Sequence, residues 1–217
     1  FHIVIAVGGD GTINEITEAL IYSNVIFGII PVGSGNGLAR FLKIPLHINK
    51  AIHTINKGKV FRMDSVQIND RFFVNMAGIG FDAHISYLFS ESGKRGFKSY
   101  VRLIFKEFFN YKDNNYQLII DNQAIDINAF LISFANSSQF GNNTHIAPLA
   151  EINDGLIDIC ILKKFAKWKS IYILLLMYSK KLNRSKYYRL IKTKEVEITS
   201  PSNLKMHIDG DPIEFNS

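Results

Sequence analysis

The chain has 217 residues, 47% of them hydrophobic and 20% charged, a balance that excludes a disordered or fibrous protein and suffices for a sizeable core. Its 25 lysines and arginines outnumber 19 aspartates and glutamates, and the formal charge of +6 favours an anionic partner, whether a phosphorylated ligand, a membrane surface or nucleic acid. No apolar run approaches the ~20 residues of a spanning helix, no signal peptide is visible, and the single cysteine, Cys160, excludes an intrachain disulfide and reads as a buried structural thiol in a reducing compartment.

In chain order, an apolar strand at 3–7 leads into Gly8-Gly9-Asp10-Gly11-Thr12 and an amphipathic helix at 13–22. A second strand at 25–30 leads into Gly33-Ser34-Gly35-Asn36-Gly37, a helical segment at 38–42 and a helix at 48–56. Apolar strands alternating with helices predict a parallel sheet buried on both faces. From about residue 59 short strands take over, at 60–68, 72–76, 116–120, 129–135, 156–162, 195–199 and 205–208, punctuated by Asn/Asp/Gly turns. That pattern predicts an antiparallel sandwich or barrel, interrupted by helical insertions near 97–111 and 168–181. The expected fold is α/β plus all-β: a partial α/β nucleotide-binding domain over 1–58, then a β-sandwich substrate domain over 59–217. Phe1 opens directly into a strand with nothing before it to pair with or cover it, so the sequence is expected to be a piece whose true start is missing.

In such α/β units ligands sit beyond the carboxyl ends of the strands, against helix N-termini. Both glycine-rich loops fall there. Glycine lets the backbone approach a phosphate closely, and the Thr12 and Ser34 hydroxyls can donate to phosphate oxygens. Neither loop is a Walker A motif or Gly-x-Gly-x-x-Gly. Thr12 and Glu15 have capping-box spacing, and Asp10 suits a helix start, but capping leaves unexplained an aspartate set among three glycines and a second such loop. The pair is therefore read as phosphate-binding.

The segment from Val7 through Gly8, Gly9, Asp10, Gly11, Thr12, Ile13 and Asn14 to Glu15 resembles the nucleotide-binding motif of the diacylglycerol/sphingosine/ceramide kinase family. Its Gly-Gly-Asp-Gly-Thr core also resembles that of NAD kinases and phosphofructokinases. Further motifs similar to those of the lipid kinases follow in order: Pro31 to Asn36 with Ala39-Arg40, Gly78 to Asp82, Ala147-Pro148 with Asp154 to Asp158, and His207 to Asp211. The resemblance implies an NAD-kinase-like α/β domain holding ATP, a β-sandwich domain, and a lipid hydroxyl entering between them. It also implies earlier βα units before Phe1 and a short segment after Ser217.

Phosphoryl transfer needs phosphates positioned and neutralised by Mg²⁺ and a base beside the attacking hydroxyl. Asp10 is the first candidate to organise the catalytic Mg²⁺. By resemblance, Gly8 to Glu15 and Gly33 to Asn36 would line the ATP site. The base would be Asp209 or Asp211, where the family carries Asp-Gly-Glu; Asp211 stands where glutamate is common, and a plain Asp-Gly hairpin turn is the bland reading. Asp64 and Asp82 would either join an acidic network or hold turns. The turn from Glu151 to Leu156 resembles a structural Mg²⁺ site, with Asp154 giving its carboxylate and Glu151 and Leu156 backbone carbonyls. Gly37 departs from bacterial diacylglycerol kinases, which usually carry aspartate there, and blurs the choice between diacylglycerol, phosphatidylglycerol and sphingoid acceptors.

Two segments would face a lipid surface. Phe97, Tyr100, Val101, Ile104, Phe105 and Phe108 recur at helical spacing beside Lys98, Arg102 and Lys106, and the run 167–181 offers Trp168 and Tyr172. An aromatic stripe of this kind is more often core. The six histidines show no zinc spacing, and no nucleic-acid motif accompanies the basic charge. The expectation is an ATP- and Mg²⁺-dependent lipid kinase, cytoplasmic and peripheral to the inner face of the membrane, with its oligomeric state open. NAD kinase, and a non-catalytic nucleotide-binding membrane protein on the same fold, are the alternatives.

Overall fold

The computed structural model describes residues 1–93, 96–199 and 203–215, without the side chain of Phe97. The first elements are β1 (Ile3–Gly8), α1 (Asp10–Leu20), β2 (Ile26–Pro31), α2 (Gly37–Phe41) and α3 (Ile48–Lys57). β1 and β2 pair in parallel, Ile3 opposite Ile26 through Gly8 opposite Pro31. Ile13 from α1 meets Ala6, Ile29, Leu38 and Ala39 in one apolar cluster. The opposite alternation of β1, Ile3, Ile5 and Val7, is exposed, so the expected burial of both faces is not met among the described residues. α1 also begins earlier than expected, at Asp10, with Gly9 as N-cap and no side-chain capping bond. Thr12 and Glu15 therefore form no capping box.

The remaining strands and helices are β3 (Val66–Ile68), β4 (Arg71–Phe73), β5 (Met76–Gly80), α4 (Phe81–Glu91), α5 (Phe97–Phe108), β6 (Asn114–Ile120), β7 (Gln123–Ala129), β8 (Leu131–Ala135), β9 (Ile157–Leu162), α6 (Ser170–Tyr178), β10 (Tyr188–Thr193), β11 (Glu197–Thr199), β12 (Leu204–Ile208) and β13 (Asp211–Phe215). They build an antiparallel six-stranded sheet in the order β10-β9-β8-β5-β12-β13 and a three-stranded sheet in the order β11-β6-β7. β8 shows why its sequence carries no polar alternation. Ile132 and Phe134 join Leu118, Ile120 and Ile127 between the sheets, whereas Leu131 and Ala135 join Phe81, Ile85 and Ile173 under the helices. A strand covered on both faces reads as a continuous apolar run.

The run expected at 72–76 divides into β4 and β5. At Val74 and Asn75 the amides leave the ladder and donate to Asp209 instead. α4 was not anticipated, and neither were β7, β10 and β13. α4 follows Gly80, whose φ of +98° places a would-be Cβ 2.7 Å from the Phe130 carbonyl oxygen. Only glycine fits that tight strand-to-helix corner. Cys160 is buried and accepts from the Tyr188 hydroxyl at 3.0 Å, and burial raises its thiol pKa, as an inert structural thiol requires.

Candidate active site

The two glycine loops lie against each other. A Cβ on Gly33 would overlap the Cα of Gly9, and one on Gly9 would stand 3.1 Å from the Gly33 Cα. Backbone contact this close requires glycine on both sides. Asn36, at a left-handed φ of 52°, holds its loop from within: Oδ1 accepts from the Gly33 amide at 2.9 Å and Nδ2 donates to the Gly33 carbonyl at 2.7 Å. Its buried side chain shapes the cradle and is spent on the loop. Ile13 likewise points into the core. Thr12 and Glu15, in the first turns of α1, and Ser34, in the second loop, are exposed.

Asp10 lies between the loops, its Oδ2 3.0 Å from where a Cβ on Gly35 would stand. Burial raises its carboxyl above the ordinary value, and the amide dipoles of Gly37, Leu38 and Asn36 act in the opposite sense. Oδ1 is buried without a hydrogen-bond partner among the described residues. A buried acceptor with an unused lone pair suits a cation or its water. Mg²⁺ with one protein carboxylate and substrate phosphates would complete such a shell.

The hairpin turn between β12 and β13 separates the two aspartates left open by sequence. Asp209, at φ 48°, turns inward and accepts from the amides of Val74, Asn75 and Met76 at 3.3, 3.2 and 2.7 Å. With its amide nitrogen turned toward them, Asn14 donates to Asp209 Oδ2 at 2.9 Å and to the Phe72 carbonyl at 3.2 Å. Burial raises the Asp209 pKa to about 7 against the pull of the amides, with Asp10 raising it further and His207 lowering it. Asp211 instead faces the first glycine loop: its Oδ2 is 3.3 Å from the position of a Cβ on Gly11. It is open to solvent, and burial on its protein side, then Glu15, raise its carboxyl while Arg71 and His207 oppose. Ser86 of α4 donates to the Gly210 carbonyl and so pins the turn from behind.

Asp64 and Asp82 hold structure. Asp64 Oδ2 accepts from the Gly155 amide at 2.8 Å. Asp82 accepts from the neighbouring Ala83 amide at 2.9 Å and from Ser133 at 3.3 Å, and stands 3.2 Å from His207 Nε2. At the turn 151–156, Asp154 Oδ1 takes the Leu156 amide at 3.1 Å while Oδ2 pairs with Lys192 Nζ at 2.8 Å. Lys192 also lies 3.4 Å from Asp158, which is buried. Glu151 is exposed, and the Asp154 carboxylate is already neutralised by an ammonium group. This donor set does not fit a structural Mg²⁺.

Sequence reading missed the polar segment after β8. Arg40 donates to the Gly35 carbonyl at 3.0 Å and to Asn142 at 3.4 Å, and the Asn142 amide donates to the Gly35 carbonyl at 3.3 Å. Asn136 and Ser137 bond to the Val74 carbonyl and the Asn75 side chain. The signal was present as an unbroken polar run, 136–139, directly after an apolar strand. This segment also crowds Gly37, where a Cβ would lie 2.9 Å from Asn75 Nδ2 and 3.0 Å from the Gln139 carbonyl oxygen. An aspartate there would have to displace backbone.

The diacylglycerol kinase catalytic domain matches residues 1–68, and the YegS C-terminal NAD kinase beta sandwich-like domain matches residues 75–215. The chain is 31% identical over 217 residues to a Yersinia enterocolitica protein named "Probable lipid kinase YegS-like", covering 97% of this chain and 72% of that one. It is 28% identical over 218 residues to Diacylglycerol kinase of Bacillus subtilis, covering 97% and 71%. Among solved structures, a diacylglycerol kinase from Bacillus anthracis superposes with a TM-score of 0.72 at 22% identity, over 99% of this chain and 71% of that one. An NAD kinase from Archaeoglobus fulgidus in complex with ATP gives 0.53 at 15%, over 100% and 72%. At these identities the two structures speak for the fold alone.

Proposed function

Because the chain belongs to the diacylglycerol kinase and YegS-like lipid kinase family, and is on that footing a phosphotransferase, we propose that it transfers the γ-phosphoryl group of ATP to the hydroxyl of diacylglycerol or a related lipid. The observation that carries the reading is the opposition of Asp211 to Gly11, a carboxylate directly above the loop that would cradle the phosphates. Asp10, through its unused Oδ1, would hold Mg²⁺, which when bound supplies charge neutralisation to the phosphate oxygens.

The amides of the two apposed loops would bind and orient the phosphates. Asp211 takes the proton of the lipid hydroxyl as that oxygen bonds to the γ-phosphorus, while the bond to the β-phosphate bridge oxygen breaks and ADP departs. Its raised pKa makes it a better proton acceptor than an ordinary carboxylate. Asp209 acts at one remove, fixing the turn that presents Asp211. Two observations support a lipid over NAD⁺ as acceptor: the match over residues 75–215 is to the YegS C-terminal domain, and the curated relatives, matched over 97% of this chain, are named as a lipid kinase and a diacylglycerol kinase.

The test uses labelled ATP, Mg²⁺ and mixed micelles of diacylglycerol, phosphatidylglycerol or sphingosine, beside NAD⁺. Label is expected in a lipid product, with Asp211→Asn lowering kcat by about 10²–10⁴-fold and Asp211→Glu retaining part of it. Label in NADP⁺ alone would move the assignment to NAD kinase. Nucleotide binding without transfer to any acceptor would favour the non-catalytic reading.

A further inference from the structure

α6 is nine residues long and apolar around its whole circumference, yet the core needs only one stripe of it. Ile173 and Met177, four apart, are buried against Leu182 and the residues beneath. Leu176 is partly buried against the same cluster, but five positions face solvent: Ile171 is 70% exposed and Leu175 61%, with Tyr172, Leu174 and Tyr178 also exposed. Trp168, on the 3₁₀ turn leading into the helix, is 79% exposed. A surface helix in water puts polar groups at such positions, and a contiguous apolar patch marks an interaction surface.

Charge identifies the partner. Residues 159–194 contain eleven lysines and arginines and no aspartate or glutamate. Lys180, Lys181, Arg184 and Lys186 follow the helix and are exposed. Lys169 donates to the Tyr187 hydroxyl at 2.7 Å and lies 4.9 Å from the centroid of the Trp168 ring, so the basic frame also holds the tryptophan in place. Lys167 donates to the carbonyls of Phe108 and Phe109, bringing the end of α5, with exposed Phe105 and Phe109, beside the start of α6. A second copy of the chain would meet this face with the same excess of positive charge. An apolar, aromatic surface framed by cations fits the interface of an anionic bilayer.

The geometry points to α6 and the turn bearing Trp168 as the face by which the protein docks on an anionic membrane, Trp168, Ile171 and Leu175 entering the acyl boundary and the lysines meeting the headgroups. The face is close to the site. The Met177 carbonyl accepts from the His145 amide, and the same polar segment contacts the second glycine loop at Gly35. Docking on α6 therefore holds the glycine loops within two contacts of the lipid surface.

Trp168 is the chain's one tryptophan, so its fluorescence reports this face alone. The full chain is titrated, without nucleotide, with vesicles of phosphatidylcholine containing about a third phosphatidylglycerol, and with phosphatidylcholine alone. The expected result is a blue shift with the anionic vesicles, quenching by lipids brominated on the acyl chain, and weakening as salt rises. Leu175→Ser with Ile171→Ser, checked for unchanged thermal unfolding, should weaken vesicle co-sedimentation by about 10-fold or more, and Lys180→Gln with Lys181→Gln should abolish the preference for anionic lipid. No blue shift, equal binding to neutral vesicles, or a shift that instead follows protein concentration and self-association would overturn the proposal. The assay needs no turnover, so its failure leaves the kinase reading standing, and an inactive cleft leaves the docking result standing.

Discussion

Asp209 gathers three backbone amides and the Asn14 amide on one carboxylate, and asparagine in its place would keep only one acceptor oxygen for them. Asp209→Asn should therefore cost about 1–3 kcal/mol of stability, read by urea unfolding, whereas Asp211→Asn should leave stability nearly unchanged. Protonation adds a pH signature. The folded-state pKa of Asp209 is about 7, above the ordinary 3.8, so between these values the folded protein holds a proton that the unfolded chain releases. Stability contributed through this group is full below the ordinary carboxylate value and falls as pH rises toward 7, by about 1.4 kcal/mol per unit at most. Wild-type protein should show that slope and Asp209→Asn should lack it. A slope of the same size in both would assign the proton elsewhere. From sequence the two aspartates looked interchangeable, because both lie in one Asp-Gly-Asp turn. What separates them is a set of amides more than 130 residues away, and no local pattern carries that information.

At the scale of elements, the glycine loops were legible because their requirement is local: glycine and aspartate mark where backbone must approach backbone or phosphate. Gly33→Ala tests the packing directly. Its Cβ would overlap the Gly9 Cα, two backbones that cannot rotate away, so the loops must part. The expected outcome is about 1–3 kcal/mol lost together with weaker ATP binding by calorimetry; an unchanged ATP affinity would remove the loop pair from the site. α4 escaped sequence reading because it has no side-chain cap and starts at a corner dictated by the Phe130 backbone. The turn at 151–156 was legible as a turn, but its counter-charge sits on β10, the strand that sequence reading also missed. Lys192→Met would leave Asp154 and buried Asp158 without their cation. We expect a loss of up to about 3 kcal/mol, reduced by the partial exposure of Lys192, and a partial recovery of the variant's melting temperature on adding Mg²⁺. A Mg²⁺ shift of the wild type that vanishes in Asp154→Asn would instead restore an ion at this turn.

Across the whole molecule the cleft brings together groups from distant parts of the chain whose charges oppose one another. Asp10 from the α/β unit, and Asp209 and Asp211 from the hairpin of the six-stranded sheet, all have carboxyl pKa values raised chiefly by burial, and the charge of Asp10 raises Asp209 further. Carboxylates kept this close without a cation destabilise the folded state, a cost that functional sites carry because their task is to meet charge on a ligand. Asp10→Asn should therefore make the nucleotide-free protein more stable while removing phosphoryl transfer. A gain near 1 kcal/mol would appear as a rise of about 2–4 °C in melting temperature, above pH 7 where the carboxylates are charged, and would fade in acid. The same substitution should lower the Asp209 pKa, followed by carboxyl NMR. In the wild type, ATP with Mg²⁺ should raise the melting temperature by mass action, and the variant should lose most of that rise. A variant less stable than wild type at every pH would show that Asp10 is a structural cap for the amides of residues 36–38, and would leave the cation without its protein ligand.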